Sequence, residues 1–161
     1  METILAGYDG SRPAEQALTR AAEFARTFEA KVVVVSVAAP EPLSGPGAFG
    51  LMPYYYPAEE AGQAADLDET LLRQHQERVE AFFAGREVPV EFVGVTGDAA
   101  AEIVAAADEH DVDLIVVGTR EPGFLERLLG GSVSQGVARR AHRDVLIVHP
   151  DEQNETSEPG G

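Results

Sequence analysis

The chain predicts an α/β fold: a doubly wound, five-stranded parallel sheet with helices on both faces. Two observations predict it. Five short apolar runs, Thr3 to Tyr8, Lys31 to Val37, Val88 to Val95, Asp113 to Gly118 and Asp144 to Pro150, alternate with four segments whose apolar residues recur at three- and four-residue spacing. The second run, KVVVVSV, is nearly continuous and β-branched, the pattern of a strand covered on both faces. Parallel strands need crossover connections, and these are right-handed, so repeated strand–helix–strand units wind into one sheet.

Each element has its own signal. After the first strand, Asp9-Gly10-Ser11 reads as a turn with capping residues, and Pro13 stands where helices accept proline. Ala14, Ala17, Leu18, Ala21, Ala25 and Phe28 then form one apolar face. Residues Ala38 to Gly62 hold five of the ten prolines and show neither helical nor strand period, so they read as a long loop. Within it, Tyr54, Tyr55 and Tyr56 could pack on the domain or close over a ligand or partner. Leu67, Leu71, Leu72, Val79, Phe82 and Phe83 mark an amphipathic helix. Asp98 is placed to cap a third helix, with Ile103, Val104 and Ala107 facing inward. A last helix runs from about Ser132 to Ala141, ahead of the fifth strand.

Size and charge bound the function. A chain of 161 residues fits one domain, here 1–150, and residues 151–161 have too little apolar content to fold. No apolar run approaches the roughly 20 residues of a membrane span, and the N-terminus carries no basic segment. Cytoplasmic residence without membrane insertion is the expectation. With 28 acidic against 12 basic residues the net charge is −16, which repels nucleic acid and anionic membranes. The carboxylates are dispersed, as in an ordinary acidic protein or in a coat suited to high salt, where at ~1 M the Debye length falls to about 3 Å. The absence of cysteine excludes disulfides and thiolate chemistry. His75, His110, His142 and His149 have no metal-ligand spacing and read as surface or packing residues.

In doubly wound sheets ligands bind beyond the carboxyl ends of the strands, where the strand order reverses. The loops after strands one, two and four would share that rim. Gly118 closes the fourth strand, and Gly130-Gly131-Ser132 precedes the last helix. At that start Gly131, Ser132 and Val133 offer backbone N–H groups without intrahelical partners, and Ser132 and Ser134 add hydroxyls, a combination suited to an anion. The same residues also suit a plain turn with an N-cap, and Asp9 also suits a cap of the first helix.

Taken together, ILAGYDGS at the start, DLIVVGTR in the fourth strand and GGSVSQGVARRAHRDVLIVHP at the end resemble the universal stress proteins. That resemblance implies a Rossmann-like sheet of order 3-2-1-4-5 and binding of ATP, or of AMP or ADP, with Mg²⁺ as a companion ion. It places Asp9 at the ribose or metal side, Val37 at the adenine, and Gly118, Arg120, Gly131, Ser132, Val133 and Ser134 around the phosphates, with Gly7 also among the nucleotide-binding residues. The ATP-binding branch resembles G-x2-G-x9-G-[ST] after the fourth strand. Here Glu121 stands at the second glycine, while Gly118, Gly131 and Ser132 match. The resemblance implies a regulatory or stress-resistance module, and a homodimer through the last strand, Val145 to His149. No Gly-x4-Gly-Lys-[Ser/Thr] loop or serine elbow is present, so enzymic activity is at most slow ATP hydrolysis. The alternatives are a dimeric scaffold that binds no nucleotide, which Glu121 favours, and a weak ATP hydrolase.

Overall fold

Alternation along the strands decides which helix each side chain meets. The structure, a computed structural model, describes residues 1–38, 58–119 and 133–149, with the backbone alone for 58–64. Five strands, β1 (Thr3–Gly7), β2 (Lys31–Ala38), β3 (Val90–Thr96), β4 (Leu114–Gly118) and β5 (Asp144–Val148), form one parallel sheet of order β3-β2-β1-β4-β5. The helices are α1 (Arg12–Phe28), α2 (Ala58–Phe83), α3 (Ala99–Glu109) and α4 (Val133–Arg140). Ile4, Ala6, Val32, Val34 and Val116 pack with α1 and α2, while Leu5, Val33, Val35, Ile115 and Val117 pack with α3 and α4. Val32 to Val35 are thus buried on both faces, which is why that run carries no polar alternation.

The fold class and strand order agree with the sequence reading; several boundaries do not. β3 begins at Val90: the Pro89 carbonyl accepts from Val32, but proline has no N–H to give the ladder, and Val88 is buried in the approach to the strand. Ala38 closes β2, and 58–62, expected in the loop, open α2. The rest of that loop, with Tyr54 to Tyr56, lies outside the described residues, as does 150–161.

Two predicted apolar faces also need correction. Leu67 is 71% and Leu71 41% exposed, whereas Val79 and Phe83 are buried. The 26 residues of α2 span about 39 Å, against about 26 Å for the 8 of β2, so the helix is longer than the strand it covers, and the exposed Leu67 and Leu71 lie before the buried Val79 and Phe83 along it. Phe28, at the end of α1, is exposed and stacks on Phe24 instead of entering the core.

Candidate functional site

Gly7, Val37 and Gly118 stand at the carboxyl ends of β1, β2 and β4, which are neighbours in the sheet. The register pairs Gly7 with Val35 and Gly118 with Val148, and places Val37 one strand end beyond. From β1 the chain winds outward to β2 and β3 under α1 and α2, then returns to β4 and β5 under α3 and α4. The order therefore reverses between β1 and β4, and Asp9 follows directly from that point.

The two strand-end glycines have packing reasons. A Cβ on Gly7 would stand 3.2 Å from Ile103 Cδ1 and from Val117 Cγ1. On Gly118 it would collide with the carbonyl of Pro13, where the start of α1 crosses β4. Gly10 has φ of +78°, a conformation glycine adopts without strain. The cap of α1 is Ser11, whose hydroxyl accepts from Ala14 N at 3.3 Å, so Asp9 is not that cap. Asp9 is exposed, and its Oδ1 accepts from Ser11 N at 2.9 Å.

Around this rim α4 arrives from the other layer. Gly136 crosses Ala100 in the first turn of α3, where an added Cβ would lie 2.8 Å from the alanine methyl. Asp98 caps α3 through Ala101 N and also takes Arg140 Nη1 at 2.8 Å, tying the two helices together. Arg140, aided by the Ala101 and Ala100 amides, holds the Asp98 carboxyl below the ordinary carboxylate value. At the start of α4, Val133 is 45% exposed and Ser134 is buried. Val37 is half-buried and faces the same α3–α4 layer. The structure thus brings Gly7, Asp9, Val37 and Gly118 to one rim and α4 to the same edge. Arg120, Glu121, Gly131 and Ser132 lie outside the described residues.

On the opposite face His75, read from the sequence as a surface or packing residue, proves to be a packing residue. His75 of α2 is 6% exposed, and its Nδ1 meets Ser36 Oγ at 2.7 Å. Tyr8 packs edge-on against its ring, with centroids 5.3 Å apart. Burial lowers its pKa; Asp9 opposes that and Arg78 adds to it. The signal in the sequence was spacing, since Leu72, His75 and Val79 fall on one helical face. A groove of about 690 Å³ lies beside it between α1 and α2, lined by Tyr8, Arg12, Glu15, Arg78 and Phe82 among others. Among the described residues, no group of three His, Asp or Glu side chains could hold a metal ion, and no helix is long and apolar enough to cross a membrane.

The sheet order and its reversal point define a Rossmann-like α/β protein. The model of the universal stress protein family matches residues 1–149, and the chain belongs to that family. A universal stress protein of Mycobacterium tuberculosis is 34% identical over 161 residues, covering 92% of this chain and 96% of the relative. The crystal structure of a universal stress protein in complex with cAMP matches with a TM-score of 0.61 at 30% identity, over 92% of this chain and 96% of the other. The Archaeoglobus fulgidus universal stress protein in complex with dAMP shares the fold, with a TM-score of 0.62 at 24% identity over 91% and 96% of the two chains.

Proposed function

We propose that this protein binds an adenine nucleotide, ATP or a related species such as AMP or ADP, at the rim where β1 and β4 diverge. There it serves as a regulatory or stress-resistance module. The observation that carries this reading is the meeting of Gly7, Asp9, Val37 and Gly118 at one rim that α4 also reaches, in a fold shared with a cAMP complex at 30% identity. The backbone at Val37 would meet the base, Asp9 the ribose or metal side, and the α4 start with Val133 and Ser134 the phosphates. Gly131, Ser132 and Arg120, by their place in the sequence, would extend the phosphate subsite. Each favourable charge interaction at a helix start is worth about 0.3–1 kcal/mol, so several donors must act together against a chain of net charge −16. A Mg²⁺ would come with the phosphates of ATP, with Asp9 the carboxylate at the rim. Calorimetric titration of nucleotide-free protein with AMP, cAMP and ATP, with and without Mg²⁺, tests the reading. Saturable binding of at least one supports it, and no heat with any of them at millimolar nucleotide overturns it.

One feature favours a second reading. Glu121 stands in the sequence where the family pattern has a glycine, and a carboxylate there would oppose an anion. On that reading the chain is a dimeric scaffold that binds no nucleotide, and the same titration decides between them.

A further inference from the structure

We infer that His75 is a positioning residue for the rim: it clamps α2 to the ends of β1 and β2, sets the placement of Asp9 and Val37, and makes that placement sensitive to protons. The inference rests on the adenine-nucleotide reading for its consequence, though not for its geometry. His75 touches both strand ends at once. Its Nδ1 meets Ser36 Oγ at 2.7 Å, and Ser36, fully buried, immediately precedes Val37. Its ring takes the edge contact with Tyr8, which immediately precedes Asp9. The imidazole also lies under the Asp9-Gly10 turn, since a Cβ on Gly10 would stand 2.9 Å from His75 Nε2.

Strand alternation turns this grip into a lever. Successive strand residues face opposite sides, so Ser36 meets His75 under one layer while Val37 packs toward α3 and α4. A shift of the imidazole moves the shared backbone, and the rim residues follow. One side chain thus holds Ser36, just before Val37 in β2, and Tyr8, just before Asp9 beyond β1.

The chemistry of the ring supplies the proton sensitivity. Neutral imidazole has one donor and one acceptor nitrogen, and the Ser36 hydroxyl can pair with either tautomer. Protonation makes both nitrogens donors and leaves a cation inside the α1–α2 layer. That cation faces Asp9 from the β1–α1 turn, Arg78 from α2 and Tyr8 directly after β1, with Arg12 and Glu15 of α1 lining the adjoining groove. Asp9 is the attractive partner, so the imidazolium and a bound ribose or metal compete for one carboxylate. Burial opposes the charge, so the ring is neutral at pH 7 and charges in acid, below the ordinary value of about 6.5.

The test starts with nucleotide-free protein. Amide shifts are followed by heteronuclear NMR from about pH 8 to about pH 5, alongside the His75 ring carbon signals. The amides of Gly10, Ser36 and Val37 are expected to move with the ring's midpoint in the wild type and to lose that component in His75→Gln. Amides that ignore the ring's titration, or that keep it in His75→Gln, overturn the inference whether or not nucleotide binds. The second arm measures AMP affinity across the same range. Wild-type affinity is expected to fall through the His75 midpoint by about five-fold or more beyond the fall that His75→Gln shows over the same range, which is the part due to the AMP phosphate's own titration at about pH 6. AMP affinities that fall in parallel in the wild type and in His75→Gln remove the inference and leave the nucleotide reading standing. AMP that binds neither form removes that reading, and the amide titration still decides the clamp.

Discussion

The backbone of Gly118 runs against the carbonyl of Pro13, and a Cβ at Gly118 would also stand 2.9 Å from Pro13 Cβ. The contact joins the end of β4 to the start of α1, so a packing requirement sits at the proposed phosphate rim. Gly118→Ala is expected to destabilise the fold by about 1–3 kcal/mol, the usual cost of overpacking. Urea unfolding measures it through the midpoint at unchanged slope. An unaltered midpoint would show that α1 yields freely.

Two surface carboxylates predict an acid limb in the stability profile. Asp113 accepts from Glu2 N at 2.6 Å and Thr3 N at 3.1 Å, and these bonds hold its carboxyl below the ordinary value; Arg140 does the same for Asp98. A carboxylate with a depressed native pKa stabilises the fold above the ordinary carboxylate value. That stabilisation is lost as pH falls through the lower native value. Asp113→Asn and Asp98→Asn are each expected to lower the melting temperature at pH 7 and to flatten its decline below about pH 5, read by thermal melts. His75 has the same sign at higher pH, because its native value is also depressed. Its unfolded form takes the proton first, so stability falls as pH drops below about 6.5 and levels off past the native value.

Glu121→Gly is expected to tighten ATP binding, because it removes a carboxylate from a segment that the family pattern assigns to phosphate. Calorimetry on the two proteins gives the comparison. Equal or weaker affinity in the variant would mean that this side chain does not oppose the ligand.

β5 lies at one edge of the sheet, with Val145, Leu146 and Ile147 half-buried. An edge strand with exposed pairing groups recruits a second strand. Sedimentation equilibrium at micromolar protein is expected to report twice the 17.1 kDa of the chain; a single 17.1 kDa species would contradict pairing through this edge.

Much of the architecture was legible because the strands announce themselves. KVVVVSV could only be a doubly covered strand, and Ser11, Pro13 and Asp98 marked helix starts that the structure retains. What failed was reach: periodicity gave Leu67 and Leu71 the same face as Val79, yet period alone does not reveal how far along a 26-residue helix the burial extends. The rim residues were legible as chain positions. Their reasons were not, since Gly7 and Gly118 owe their lack of a side chain to Ile103, Val117 and Pro13, contacts made across long stretches of sequence. His75 was readable as a surface or packing residue but not as a clamp, because Ser36 and Tyr8 meet it only through the register of two strands.

The most direct test maps AMP onto the molecule by amide shift perturbation. The account predicts a saturable response confined to Gly7, Asp9, Val37, Gly118, Val133, Ser134 and their chain neighbours, with the amino ends of the strands silent. Shifts clustered instead along the groove between α1 and α2, or no saturable shifts at all, would contradict it.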